Sequence, residues 1–152
     1  MTDTFKDQDF GKRFAQMGDL AEGKCIEWLQ ENNTGFVRYG LDRPPLRMDM
    51  LPARIRHTPD ILTSRGLIEV KGFGRDQTAK LKLEDMNCLS WWNDCHPVSI
   101  FFYDSHNERS ICVPFTDVRD KMVADQRVKL GVFPDANPKP YFAIPAAVIW
   151  GE

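Results

Sequence analysis

The sequence lacks the long apolar segments of membrane and secreted proteins. None of its apolar runs approaches the roughly 20 residues that a membrane-spanning helix needs. The opening residues, Met-Thr-Asp-Thr-Phe-Lys, have no apolar core of the kind found in signal peptides. We therefore expect a protein that stays in the cytoplasm in which it is made.

Cysteine is also scarce, and its spacing gives no support to a zinc site. No two of the four cysteines are placed at zinc-finger spacing. Cys95 adjoins His96, but adjacent residues rarely bind the same tetrahedral metal ion. We expect free and mostly buried thiols in a reducing compartment. The four residues are Cys25, Cys88, Cys95 and Cys112.

Repeats, low-complexity tracts and clear linkers are absent as well. A length of 152 residues, with 42% hydrophobic and 28% charged residues, is typical of a soluble globular protein with one core. We expect a single domain over residues 1–152.

The net charge of −2 argues against a nucleic-acid partner, but the distribution of charge favours one. Residues 43–82 contain nine Lys or Arg and four Asp or Glu, which leaves +5 in this stretch and −7 elsewhere. A site that cuts phosphodiesters needs acids to bind metal and bases to hold the backbone. A solvated charged face is the simpler alternative. The candidate DNA-binding residues are Arg54, Arg56, Arg75, Lys80 and Lys82.

Hydrophobic periodicity and turn residues predict a mixture of helices and strands. An apolar stripe predicts a helix over residues 10–28, and Asp19 with Glu22, at capping-box spacing, marks a second helix start inside it. The other predictions are strands at 35–39, 58–63, 66–72, 98–103 and 110–114, helices at 77–93 and 116–129, loops at 43–52 and 134–140, and an ambiguous apolar stretch at 141–149. This order predicts an α/β (α+β) fold with helices packed on a mixed central sheet.

Two short apolar strands in the middle of the chain bring charged side chains together. If the hairpin turns through Ser64 and Arg65, Asp60 faces Glu69, with Cβ atoms about 4.5–5.5 Å apart. Lys71 follows Glu69 by two residues and therefore points to the same face.

These three side chains suit phosphodiester hydrolysis. Facing carboxylates repel and burial raises at least one pKa, so a shared proton or a cation must compensate them. Mg²⁺ prefers oxygen ligands, which Asp60 and Glu69 supply, while Lys71 adds positive charge beside them. The alternative is an exposed strand edge, in which Asp60 pairs with Lys71 and Glu69 pairs with Arg65.

The motifs in this region resemble a known family. The Thr-Pro-Asp that ends at Asp60, the Glu-Val-Lys-Gly that begins at Glu69, and the helical Glu-Gly-Lys-Cys-Ile-Glu-Trp-Leu that begins at Glu22 resemble the PD-(D/E)XK nuclease superfamily. They are most similar to the phage endonuclease I type of Holliday junction resolvase. The resemblance covers residues 20–103. It implies a restriction-endonuclease-like mixed sheet flanked by helices, a cofactor of Mg²⁺ or Mn²⁺, and a phage protein active in the host cytoplasm.

The resemblance also implies a role for each matching residue. Asp60 and Glu69 would bind the metal ion together with the carbonyl of Val70. Lys71 would orient or activate the attacking water. Glu22 would complete the site from the preceding helix.

Glu27 is a rival for the role of Glu22, and the capping box with Asp19 is an alternative use of Glu22. Glu27 falls on the opposite flank of the apolar stripe, whereas Glu22 is followed by Ile26 and Leu29 on its own side. We therefore prefer Glu22.

Three functions remain in view. The first is a magnesium-dependent endodeoxyribonuclease that resolves branched DNA as a homodimer, since two symmetric cuts need two active sites. The same site would serve an exonuclease, a repair nuclease or a restriction-type nuclease on unbranched DNA. A catalytically silent nucleic-acid-binding module comes from another class, but all three motif residues keep competent side chains.

Overall fold

A computed structural model describes residues 10–38, 51–134 and 136–152 of the chain. The helices in these ranges are α1 Phe10–Glu31, α2 Ala53–Arg56, α3 Leu83–Cys95, α4 Phe115–Ala124 and α5 Ala146–Trp150. The strands are β1 Phe36–Arg38, β2 Ile61–Thr63, β3 Gly66–Phe73, β4 Thr78–Lys82, β5 Val98–Asp104, β6 Arg109–Pro114, β7 Lys129–Val132 and β8 Pro140–Pro145.

The central sheet has five strands in the order β1-β2-β3-β5-β6. Only the β3–β5 pair is parallel, and the other neighbours run antiparallel. A parallel pair needs a crossover connection, and here the chain makes it through β4 and α3. The predicted mixed sheet flanked by helices is therefore confirmed.

Two hydrophobic clusters cover the two faces of this sheet. On one face Ala21, Cys25 and Leu29 of α1 pack against Ile68 and Val70. On the other face, Leu67 and Phe73 of β3 belong to a larger cluster. This cluster also contains residues of α3, α4 and α5 and of strands β4 and β8. Because side chains alternate along β3, Glu69 and Lys71 point to this second face, between Leu67 and Phe73.

Helix α1 runs without a break through Gly18 and Asp19. The second helix start predicted at Asp19 is therefore wrong. The capping-box pattern fails here because the buried residues Ala21, Cys25 and Leu29 pack on the sheet as one continuous stripe.

A second sheet of three strands, in the order β4-β8-β7, is the main departure from the predicted elements. Residues 78–82 form a strand, so the helix predicted over 77–93 begins only at Leu83. Ala79 and Leu81 are buried while Lys80 is exposed, which is the period-two alternation of a strand. Pairing with β8, distant in the sequence, decides this segment.

The C-terminal third of the chain also differs from the predicted elements, because it contributes two strands to the second sheet. Helix α4 ends at Ala124 rather than at residue 129, because Lys129 begins β7. The ambiguous stretch 141–149 is divided at Pro145 into β8 and α5. The loop predicted over 43–52 lies outside the described residues, apart from residues 51 and 52.

A buried carboxylate anchors the end of β5. Asp104 is fully buried and accepts hydrogen bonds from the side chains of Gln77, Asn107 and Arg109. Burial alone would raise its pKa, but these hydrogen bonds outweigh burial and lower the pKa of Asp104 to about 2. Since Gln77 directly precedes β4, the network ties the second sheet to the first.

All four cysteines are free, as the sequence predicts. Cys25 and Cys88 are buried, Cys112 is half-buried and Cys95 is exposed. Burial raises the pKa of the Cys25 thiol to about 12, which makes it unreactive. No helix within the described residues is both long and apolar enough to cross a lipid bilayer.

Candidate active centre

The β2–β3 hairpin has the predicted register, with Ile61 opposite Ile68 and Thr63 opposite Gly66. Asp60 lies just before β2, and its Oδ2 accepts a hydrogen bond of 2.7 Å from the backbone N–H of Val70. The pairing of β2 with β3 ends at Ile61, so the edge of β3 beyond that point is free to receive the Asp60 side chain.

Glu69 and Lys71 form a contact on β3. Glu69 is only 9% exposed, and its Oε1 lies 2.7 Å from Nζ of Lys71. Strand β3 is paired on both sides, with β2 and with β5. The alternative of an exposed strand edge is therefore wrong, because Lys71 pairs with the buried Glu69 and not with Asp60.

The environment of Asp60 disfavours its charged form. Burial, and then the charge of Glu69, raise the pKa of Asp60 to about 8, against the lowering effects of Lys71 and the Val70 N–H. The carboxyl is therefore protonated at neutral pH when no cation compensates it.

The environment of Lys71, in contrast, favours its charged form. Burial by itself lowers the pKa of Lys71, but the nearby charges of Glu69, Asp85 and Asp60 outweigh burial and raise it. The side chain is therefore a stable ammonium ion at neutral pH. It can supply positive charge or a hydrogen bond to a phosphate or a water molecule.

A divalent cation fits the Asp60–Glu69 pair. The raised pKa of Asp60 marks a pair of buried carboxylates that one ammonium group does not fully compensate. Oxygen ligands in this arrangement suit a hard cation. The N–H and C=O of one strand residue point to the same side, so the Val70 carbonyl faces the free edge where Asp60 lies.

Glu22 and Glu27 of α1 have different surroundings. Glu22 accepts a hydrogen bond of 3.0 Å from Arg38 at the end of β1, and its charge also contributes to the raised pKa of Asp60. Glu27 is paired with Lys24 and its side chain is 60% exposed. Of these two residues, Glu22 is the one whose charge acts on Asp60.

The structure adds three side chains that the sequence reasoning missed. Nδ1 of His57 lies 2.7 Å from Oδ1 of Asp85, and its Nε2 lies 3.8 Å from Oε1 of Glu84. The donor atoms of these three residues lie within 4.8 Å of one another, so they could also hold a metal ion. Their mixed nitrogen and oxygen donors suit a transition metal better than Mg²⁺.

This cluster adjoins the hairpin site, because the charge of Asp85 acts on Lys71. The position of His57, three residues before Asp60, was the available signal in the sequence. Nothing in the sequence placed Glu84 and Asp85 near the site, because the helix was expected to begin near residue 77. The helix in fact begins at Leu83, which puts both residues in its first turn.

The five candidate DNA-binding residues do not form one patch. Arg54 and Arg56 lie on α2 next to α3, where the guanidinium of Arg54 is 4.6 Å from the ring centroid of Trp91. Arg75 is exposed in the turn after β3. Lys80 and Lys82 belong to the second sheet and not to a helix.

Comparisons with known proteins find likeness in structure but not in sequence. Neither protein-family models nor curated protein sequences match the chain. The structure is similar to the solved structure of a nuclease from a fusselovirus, with a TM-score of 0.51 and 7% identity, over 93% of this chain and 86% of that one. At this identity the likeness establishes the fold alone. The chain therefore shares its mixed α/β architecture with a viral nuclease.

Proposed function

We propose that this chain is a metal-dependent endodeoxyribonuclease of the PD-(D/E)XK superfamily. The observation that carries the proposal is the ion pair of Lys71 with Glu69 on β3, beside the Asp60 carboxylate that accepts a hydrogen bond from the Val70 N–H of the same strand. The fold shared with a viral nuclease supports the same reaction class. The cofactor we propose is Mg²⁺, with Mn²⁺ as a substitute.

The catalytic roles that we propose follow from the position and protonation state of each residue. Asp60, Glu69 and the Val70 carbonyl would hold the cation, which when bound polarises the scissile phosphate and makes water more acidic. The Lys71 ammonium would orient the attacking water and stabilise the negative charge that develops on the phosphate. The raised pKa of Lys71 supports this electrostatic role.

Glu22 would complete the centre from α1. Its carboxylate is fixed by Arg38 at 3.0 Å and lies near enough to act on Asp60. This position suits a group that orients water or binds a second cation. The finer assignment, resolution of branched DNA by a homodimer, is supported by the motif resemblance.

Cleavage of defined substrates tests the proposal. The wild type is incubated with a labelled four-way junction, a linear duplex and a single strand, with Mg²⁺ or EDTA. Lys71→Ala is assayed beside Lys24→Ala, which removes another lysine in contact with a glutamate, at 2.8 Å, on α1 rather than on the hairpin. We expect Mg²⁺-dependent cleavage that Lys71→Ala lowers at least about 100-fold and Lys24→Ala leaves unchanged.

The substrates separate the finer alternatives. Paired cuts near the branch point support the resolvase, whereas cleavage of the linear duplex alone supports a nuclease on unbranched DNA. Binding without cleavage in both Mg²⁺ and Mn²⁺ contradicts the proposal and favours the silent binding module.

A further inference from the structure

The second sheet has an outer face that the proposed active centre does not use. Ala79, Leu81 and Ile144 are buried on its inner side. The residues between them therefore point outwards, and Lys80 is opposite Ala143, which is in turn opposite Lys129. The outer face consequently carries Lys80, Lys82 and Lys129, which we call the lysine face.

Two aromatic rings hold one of these lysines on the open surface. Nζ of Lys80 lies 5.3 Å from the ring centroid of Tyr141 and 5.9 Å from that of Phe133. The two rings contact each other with centroids 4.4 Å apart. Cation–π attraction therefore holds the ammonium group of Lys80 near both rings while the residue stays exposed.

A glycine on the neighbouring strand makes room for this arrangement. A Cβ atom at Gly131 would lie 2.6 Å from Cζ of Tyr141, so the ring lies directly across the backbone of β7. Gly131 is paired with Tyr141 in the sheet. The absence of a side chain at this position lets the aromatic ring approach the strand and fixes its position beneath Lys80.

The lysine face carries no negative charge of its own. Strands β4, β7 and β8 contain no Asp or Glu. Among the described residues, none of the three lysines takes part in an ion pair. Glu84 lies near the Lys82 end, but Lys139 pairs with it at 2.6 Å. The face therefore has a net positive charge, and the acid at its Lys82 end, Glu84, is shared with Lys139.

The lysine face leads directly to the candidate active centre. Lys82 ends β4, and the next residues, Glu84 and Asp85, lie in the first turn of α3. Asp85 contacts His57 and acts on the charge of Lys71. Successive outward residues of a strand are about 6.6–6.8 Å apart, so Lys82 and Lys80 form a row that extends away from the site.

We propose that the lysine face binds the phosphate backbone of the DNA strand that extends from the cleaved bond. The inference rests on the proposed nuclease function, and it adds a path for the substrate and a role for Lys129. Contacts of this kind position the strand and carry no sequence information. They also release counterions, so binding must weaken as the salt concentration rises.

The salt dependence of binding measures these contacts. Fluorescence anisotropy of a labelled duplex is recorded in EDTA between about 50 and 200 mM salt, where no cleavage can take place. The test variant is Lys80→Gln with Lys129→Gln. The control is Lys24→Gln with Arg119→Gln, which removes two cations from other surfaces and changes the net charge equally.

We expect the slope of log K against log [salt] to become less negative by about 1.8 in the test variant, because each phosphate contact contributes about 0.9. The control should keep the wild-type slope. The exposed positions of Lys80 and Lys129 leave the core intact, and equal Tm values check this. A slope in the test variant equal to that of the wild type overturns the inference.

The assay separates this inference from the proposed function. If the wild type cleaves DNA but the slope does not change, the lysine face does not bind the DNA backbone, and the proposed nuclease function still holds. If the slope changes as expected but no variant or condition gives cleavage, the lysine face binds DNA and the proposed nuclease function is wrong. If the wild type does not bind DNA at all, both are wrong.

Discussion

The backbone N–H of Val70 donates a hydrogen bond of 2.7 Å to Oδ2 of Asp60. This bond ties the carboxylate to the strand that carries Glu69 and Lys71, although Asp60 itself lies outside β2. A hydrogen bond to a charged acceptor contributes about 1.5–3 kcal/mol, so the bond strengthens as Asp60 loses its proton. It therefore prepares the carboxylate to receive a cation in place of the proton.

Asp60→Asn should change how stability depends on pH. The pKa of Asp60 is about 8 in the native state, whereas an unperturbed aspartate has a pKa of 3.8. At pH values between these two, the native state therefore binds a proton that the unfolded state does not bind. Wild-type stability therefore falls as pH rises through this window. In EDTA we expect the Tm of the variant to exceed that of the wild type already at pH 5, and the excess to grow by several degrees between pH 5 and pH 8.

Differential scanning calorimetry from pH 5 to pH 9 measures this difference. Asp120→Asn, at an exposed acid whose side chain is 71% accessible, is the matched control and should follow the wild type. Added Mg²⁺ should raise the Tm of the wild type more than that of Asp60→Asn. A gap between the two Tm values that stays constant with pH would show that Asp60 titrates normally.

Glu22→Gln should reduce cleavage, and Glu27→Gln should not. Each variant removes one ion pair on α1, with Arg38 at 3.0 Å or with Lys24 at 2.8 Å, so their effects on stability are similar. Only Glu22 acts on Asp60. We expect kcat/KM to fall about 10–100-fold for Glu22→Gln, as for other groups that support a metal site. Equal activity of the two variants would remove Glu22 from the active centre.

Magnesium should bind at the hairpin rather than at His57. Isothermal titration calorimetry with Mg²⁺ should show binding to the wild type and to His57→Ala, but at least about 10-fold weaker binding to Asp60→Asn. The reason is that Mg²⁺ prefers oxygen donors, whereas His57 offers nitrogen. Loss of Mg²⁺ binding in His57→Ala, with binding kept in Asp60→Asn, would place the cation among His57, Glu84 and Asp85 instead.

Gly66→Ala should destabilise the hairpin on which the site depends. Gly66 has a φ of +144°, and a Cβ atom there would lie 2.4 Å from the backbone oxygen of Pro97. That oxygen accepts a hydrogen bond of 2.8 Å from the N–H of Leu67 and cannot move freely. We expect a loss of about 2–4 kcal/mol in the free energy of unfolding, measured by urea denaturation.

Gly23→Ala is the control for this substitution. Gly23 lies in α1 with nothing within 4 Å of a built Cβ atom. Alanine in a helix interior is favoured over glycine by about 0.5–1 kcal/mol, so this variant should be slightly more stable than the wild type. Equal stability of Gly66→Ala and the wild type would show that the turn adopts another conformation.

The hairpin could be predicted because its information is local. Apolar runs over residues 58–63 and 66–72, joined by a short turn, predict the hairpin and its register, and the register then places Asp60 near Glu69 and Lys71. The preference for Glu22 over Glu27 had the same origin, since the helical period alone separates the two flanks of α1.

The segment from Thr78 to Lys82 could not be predicted in the same way. Five residues with two apolar positions fit a strand or the first turns of a helix. Its partner β8 lies more than fifty residues later in the chain, and that pairing makes it a strand. The error hid both the lysine face and the first turn of α3, where Asp85 approaches His57 and Lys71.

The sequence by itself determined the charged trio, the strands that carry it and the order of the main elements, because side-chain period and turn chemistry act between near neighbours. Tertiary structure alone decided that Glu69 is buried against Lys71, that Asp60 has a pKa of about 8, and that Lys80 and Lys129 share one face. Burial, charge–charge coupling and strand pairing depend on residues that are distant in the chain and meet only when it folds.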